Sequence, residues 1–277
     1  KNNLDEHLLP GLSPNGVPKK LRGLTLPFKY NSLESFFSVI ENNDIGVIKM
    51  EVTRSVPPKP GFLETIRRVS KEKNIVLIFD ECTSGFRETY GGIHKKYNVE
   101  PDIAVFGKAI GNGYAISAVI GKKEVMESCQ DTFVSSTFWT ERIGPTAAIK
   151  TLKVMKQLKS WETISKTGKD IKKVWHRLSD KYNLQMNISG IAAIPKFSFI
   201  SKNNLAYKTL ITQEMLKKGY LSSNSVYTCI NHSKKILDKY EFNIDKIFKI
   251  IEECENDGKI NDYLETEICH SDFQRLN

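Results

Sequence analysis

The 277-residue chain is 40% apolar and 26% charged, enough apolar material for a sizeable core and, at this length, for two domains. Its 41 basic and 32 acidic residues leave a formal charge of +9, but the lysines are scattered, without a basic block or an interleaved aromatic platform. A nucleic-acid-binding protein is therefore not expected, and the excess reads as a solvated positive field that favours anionic substrates. No apolar run approaches the ~20 residues that span a bilayer, so no membrane association is expected. Cys82, Cys129, Cys229, Cys254 and Cys269 lack CxxC or Cys/His ligand spacing, which argues against a structural metal and for a reduced, cytoplasmic setting.

In chain order, Lys1 to Gly23 is polar, Pro/Gly-rich and without period. It reads as a loop, so the sequence is expected to open part-way into a domain. Leu33, Phe36, Phe37 and Ile40 keep helical spacing behind Asn31 or Ser32, either of which fits as N-cap. Ile45 to Met50 reads as a strand that delivers Glu51 and Arg54 to its carboxyl end. Arg54 there suits a bidentate grip on a substrate carboxylate, and equally a local pair with Glu51 or an Asp. Phe62 to Ser70 is an amphipathic crossover helix feeding Ile75 to Phe79, a short, β-branched-rich apolar run of the kind buried on both faces of a sheet. Asp80 and Glu81 stop that run. Ile103 to Phe106 is a second one, ended by Gly107 and Lys108, and the roughly twenty residues between the two suffice for a parallel crossover. Gly111, Asn112 and Gly113 then precede the apolar run Ala115 to Ile120, and Asn-Gly between strand-like runs is a hairpin signal. These glycines do not match a dinucleotide-binding fingerprint.

Helical spacing continues from Ala147 through Leu158 to about Tyr182. Gly190 to Phe199 and Tyr220 to Ile230 read as strands around a helix from Leu205 to Lys217, and Ile244 to Cys254 reads as the last helix, capped by Asn243. The expected division is an α/β large domain with a mostly parallel sheet in residues 1–150, then a connector helix and a smaller α+β domain in residues 151–277.

Parallel strands put their carboxyl ends on one sheet edge, where open α/β folds bind ligands, so Asp80 and Lys108 are expected to face one crevice. Pyridoxal 5'-phosphate (PLP) chemistry wants such a pair. A Lys amine condenses with the aldehyde as a Schiff base, and an acidic group keeps the pyridine nitrogen protonated. On spacing alone, a capping Asp and a solvated Lys fit as well.

The stretches FDECTSGFR, YGG at Tyr90 to Gly92, PDIAVFGKAIGNG and SSTFWTERIGPTAA occur in this order. Together they resemble the class III (fold type I) PLP-dependent aminotransferases, in particular the glutamate-1-semialdehyde aminomutase-like branch, from about Leu24 to the helix near Glu253. The resemblance implies a fold type I transferase with PLP as cofactor, Lys108 as the Schiff-base residue and catalytic base, and Asp80 at the pyridine nitrogen. It places Cys82 against one face of the ring, where the family usually has Val; an inert buried Cys fits the same position. It assigns Thr137, with Ser136 beside it, to the cofactor phosphate of a partner subunit, and hence implies an obligate homodimer. An ordinary helix N-cap at Thr137 has nearly the same geometry. Trp139 and Glu141 join Glu51 and Arg54 as substrate-pocket candidates, while Arg87 reads first as a loop or interface anchor and second as a substrate contact, and His232 reads as structural.

Three departures from the family stand out. Val52 occupies a position where the family often has Pro, NSVYTCINHSKK offers no C-terminal Arg for a substrate carboxylate, and the family's N-terminal phosphate cup and ring-stacking aromatic have no counterpart here. The implied activity is transfer of an amino group between an amino donor and a keto acid or aldehyde. An aminomutase would use the same residues within one carbon skeleton, and a truncated, non-catalytic PLP-fold protein is a third reading.

Overall fold

The computed structural model describes residues 16–270 apart from Arg22 and Arg54, so the candidate Arg54 and the last seven positions, 271–277, lie outside the described residues. Helix α1 (Leu33–Asn42) starts at Ser32, whose side-chain oxygen accepts the Ser35 N–H at 3.2 Å, so Ser32 rather than Asn31 is the cap. Strand β1 (Val47–Met50), helix α2 (Phe62–Glu72), and strands β2 (Val76–Asp80), β3 (Ile103–Phe106) and β4 (Ala118–Gly121) follow. The four strands form one sheet in the order β1-β2-β3-β4. The first three are parallel and β4 runs antiparallel to β3.

One face of this sheet is closed. Phe62, Leu63, Ile66 and Val69 project from α2 at helical spacing and, with Phe36 and Ile40 of α1, bury Ile48, Met50, Leu77 and Phe79 in one cluster. The opposite face is not closed as expected: Val76 and Ile78 are half-buried, and Val47 is 54% exposed. An uninterrupted apolar run reports an apolar environment for the strand but not which helices cover its second face. The Asn-Gly signal is met by an antiparallel β3–β4 pair, yet not by a tight hairpin. The connection from Gly107 to Ser117 includes a short 3-10 turn (Lys108–Ile110), with Asn112 and Gly113 at φ of 46° and 102°.

A one-turn helix α3 (Lys123–Met126) leads towards α4 (Ile143–Leu158) and α5 (Ser160–Lys181). The long helical region is thus two helices, broken at Lys159 in the left-handed conformation (φ 46°, ψ 44°). Strands β5 (Met186–Ser189) and β6 (Lys196–Phe199) pair antiparallel, followed by α6 (Asn204–Lys217) and α7 (Lys234–Asp257). Trp175, Phe197, Tyr207, Ile244 and Phe248 centre a second hydrophobic cluster.

Three expectations are corrected here. The expected strand from Gly190 is strand only from Lys196, and β5, just upstream, was not anticipated. Tyr220 to Ile230 is not a strand; it meets β6 through one isolated bridge, Lys196 to Ser225, and single bonds such as Phe197 N–H to Asn224 O. The last helix begins at Lys234, and Asn243 lies inside it with its amide bonded to Lys239 O at 3.0 Å. The apolar stripe Leu237, Tyr240, Ile244 carries the helical period upstream of Asn243.

Candidate active site

The register of the parallel strands sets the geometry. Phe79 lies beside Ala104 and Asp80 beside Val105, so the chain leaving β2 at Asp80 and the chain leaving β3 through Gly107 to Lys108 emerge at the same sheet edge. Glu81 N–H bonds Val105 O at 2.8 Å and fixes the turn that follows. The Glu81 side chain is fully buried. It accepts from Ser84 Oγ at 2.5 Å and from the His94 backbone N–H at 3.0 Å, and lies 2.9 Å from His94 Nδ1.

That anchored turn presents Thr83 to Lys108. Lys108 Nζ donates to Thr83 Oγ1 at 2.6 Å, and Lys108 itself adopts a left-handed backbone with φ of 46°. The Asp80 carboxylate accepts the Cys82 N–H on Oδ1 at 3.1 Å and pairs through Oδ2 with Lys49 Nζ at 3.0 Å. Burial pushes the Asp80 carboxyl up, but the Lys49 hydrogen bond, the Cys82 N–H and the nearby Lys49 and Lys108 charges outweigh it and hold the group below its ordinary value. Cys82 packs against Gly107 so closely that a Cβ there would stand 2.8 Å from Cys82 Sγ.

Thr83 also reaches a third residue. Its carbonyl accepts Arg87 Nε at 2.7 Å, while the Arg87 guanidinium lies 5.1 Å from the centroid of the Tyr227 ring. Arg87, Lys108, Asn112, Lys150, Tyr227 and Cys229 are among the residues lining a cleft of about 810 Å³. Sequence reasoning missed Lys49, Thr83 and Tyr227, and read Arg87 as an anchor first and a substrate contact second. The signals for them are tertiary, apart from the closeness of Thr83 and Arg87 to Asp80 in the chain.

The remaining candidates are placed differently. Glu51 is half-buried just past β1. Ser136 and Thr137 are exposed in the loop before α4, whose first residue is Ile143, so neither caps that helix or meets its amide end. Glu141 does: its carboxylate accepts the N–H groups of Ile143 and of Gly144, the latter at 3.0 Å. Trp139 is 67% exposed, and none of Ser136, Thr137, Trp139 and Glu141 lines the Lys108 cleft. His232 accepts the Cys229 N–H at 3.3 Å, and burial pushes its imidazole pKa down. Among the described residues no cluster of His, Cys, Asp and Glu is set to hold a metal, and no helix is long and apolar enough to cross a membrane.

The sequence profile of the family "Aminotransferase class-III" matches residues 53–253, which include the Asp80 turn, Lys108 and the cleft. The chain belongs to the class III aminotransferases. It is similar to the 3-aminobutyryl-CoA aminotransferase of Cloacimonas acidaminovorans, 33% identical over 207 residues that cover 72% of this chain and 50% of that protein. It is also similar to the glutamate-1-semialdehyde 2,1-aminomutase of Methanococcus maripaludis, 32% identical over 252 residues, 82% of this chain and 59% of the relative. In fold it matches the FumI protein of Sphingopyxis sp. MTA144, solved in its PLP internal aldimine form. The TM-score is 0.80 at 22% identity, covering 87% of this chain and 61% of that one. This class III aminotransferase chain therefore has the fold type I transferase architecture, and it spans 50% and 59% of the length of the two curated relatives.

Proposed function

We propose that this chain carries the catalytic lysine and the ring-holding carboxylate of a PLP-dependent aminotransferase that moves an amino group between an amino donor and a keto acid or aldehyde. The observation that carries the reading is the convergence of Lys108 and Asp80 on one sheet edge, with the Lys108 amine held by Thr83. The donor set fits the cofactor. A primary amine lines a cleft, a carboxylate held in its ionised form stands at the neighbouring strand end, and Cys82 fills the space against Gly107.

Lys108 would hold the cofactor aldehyde, Asp80 its pyridine nitrogen, and Cys82 one ring face. PLP, when bound, supplies an electron sink that acidifies the proton on the substrate α-carbon. Lys108 Nζ would take that proton and deliver it to the cofactor carbon that keeps the transferred amine, acting as general base and then general acid. The Thr83 hydroxyl suits both states of the amine, since it can accept from an ammonium or donate to a neutral nitrogen. Asp80, kept ionised, stabilises positive charge on the pyridine nitrogen.

The reading extends to assembly and setting. Ser136 and Thr137 sit among exposed apolar side chains, Phe133 at 94% and Phe138 at 62%, which supports a homodimer in which this loop serves the partner's cofactor phosphate. Glu51, Arg54, Trp139 and Glu141 stay in the proposal as substrate contacts, the amino donor and acceptor are small molecules, and the setting is the cytoplasm. Residues 1–150 and 151–277 are proposed as the two domains. A second reading, an aminomutase of the glutamate-1-semialdehyde type, is supported by the relative from Methanococcus maripaludis. A requirement for a separate amino acceptor separates the two.

The test is to mix the chain with PLP, record the visible Schiff-base band, reduce with borohydride and map the labelled peptide. A label confined to Lys108 is expected. Labelling scattered over surface lysines, or no band, rejects the proposal.

A further inference from the structure

The Arg87 side chain is half-buried, and among the described residues only one of its nitrogens is committed: Nε donates to Thr83 O at 2.7 Å. Its flat face lies over Tyr227, and among the described residues no carboxylate forms a hydrogen bond or ion pair with it. Burial pushes its pKa down, against opposing contributions from Tyr227 and Cys82. A guanidinium drawn out of water without a counter-ion is costly, and a loop anchor needs only the Nε bond. Both terminal nitrogens are thus left for something else, and Arg87 lines the same cleft as Lys108.

Thr83 ties the two cations together. Its hydroxyl holds the Lys108 amine and its carbonyl holds Arg87 Nε, so one buried residue fixes the spacing between them. A site that fixes an amine-handling lysine against a guanidinium fork suits a molecule bearing an amino group and a carboxylate. Lys150, which lines the cleft too, adds a third positive charge.

We propose that Arg87 is the carboxylate-recognising residue of the Lys108 cleft. Its terminal nitrogens grip the substrate carboxylate bidentately while Tyr227 supports the guanidinium face, an assignment that rests on reading the cleft as an aminotransferase site. The substrates selected are then amino acids and keto acids rather than simple amines.

The test is equilibrium dialysis of radiolabelled succinate, an unreactive dicarboxylate, against the full chain with and without PLP. It is run beside a PLP titration followed by the visible band. Saturable succinate binding is expected for the wild type, at least about tenfold weaker in Arg87→Gln, and intermediate in Arg87→Lys, which keeps the charge but loses the fork. PLP affinity is expected to be unchanged in both variants. Equal succinate binding in wild type and Arg87→Gln, or none in the wild type, overturns the proposal. So does loss of PLP affinity with succinate binding intact, which assigns Arg87 to the cofactor phosphate; inorganic phosphate as competitor reports that same alternative. Melting curves identify a variant that fails to fold, in which case Arg87→Lys decides. Failure of the band at Lys108 rejects the aminotransferase reading separately, because the dialysis without PLP still measures Arg87.

Discussion

The Lys49 ammonium lies 3.0 Å from Asp80 Oδ2, on the carboxylate that the proposed function gives to the pyridine nitrogen. Lys49 projects from β1 beside Ile78 of β2, one strand across from Asp80 and on the open face of the sheet. Asp80 is therefore kept ionised by the protein itself and does not depend on a ligand for its charge.

This pair sets a pH dependence. The Asp80 carboxyl is held below its ordinary value, so its contribution to stability is present above the unfolded carboxylate pKa and is lost as pH falls through the lower folded value. Lys49→Met should move the Asp80 titration upward and bring the acid loss of stability to higher pH. The Lys49 side chain is 61% exposed, so solvent screening limits the effect on stability to below ~1 kcal/mol. Carboxyl-carbon NMR titration of the two proteins checks it; an unmoved Asp80 curve shows that Lys49 is a bystander.

Thr83→Val keeps the shape of the side chain and removes the acceptor of Lys108 Nζ. The borohydride label should still fall on Lys108, because the valine leaves the backbone route to the cleft intact. The step in which Lys108 moves the substrate proton should slow by roughly 10- to 100-fold through lost orientation, while Thr83→Ser stays near wild type. Single-turnover measurement of amino transfer distinguishes these, and equal rates for Val and Ser variants refute a role for the hydroxyl.

The parts of this site that could be read in the sequence are those carried by short-range pattern. Two apolar runs ending in Asp80 and Gly107-Lys108 imply parallel strand ends at one edge, and β2 and β3 do pair in parallel; the register that sets Asp80 beside Val105 is a product of the fold. Thr83 and Arg87 look like turn residues in sequence, because what distinguishes them is a partner brought in from elsewhere: Lys108 for one, Tyr227 for the other. The same holds in the C-terminal part. Tyr220 to Ile230 has the apolar content of a strand, but only single bonds join it to β6. Asn243 has the chemistry of a cap, yet inside α7 its amide folds back on Lys239 O instead.

The two hydrophobic clusters share no buried residue, one around Leu77 and Phe79, the other around Trp175 and Phe248. Phe248 is fully buried, with ring centroids 5.9 Å from Phe197 and 5.6 Å from Phe199. Phe248→Ala should cost about 3–5 kcal/mol. If residues 1–150 and 151–277 are separate domains, calorimetry should show two transitions, of which this variant lowers one. A single transition displaced as a whole argues for one cooperative unit.

Gly107 is where β3 hands the chain to Lys108, and a methyl group added there would stand 2.8 Å from Cys82 Sγ and 3.9 Å from Ser117 Cβ. Its φ of −166° is open to any residue, so the cost of Gly107→Ala is contact and not backbone strain. Overpacking of this kind costs roughly 1–3 kcal/mol, and relief should come from moving either Cys82 or the Lys108 turn. If the turn gives way, PLP labelling at Lys108 falls along with stability. If Cys82 gives way, Lys108 remains competent. The double variant Gly107→Ala with Cys82→Ala removes the sulfur and should recover most of the lost stability, as read by chemical denaturation. Additive losses in the double variant mean that the Cys82 contact does not set the packing beneath Lys108.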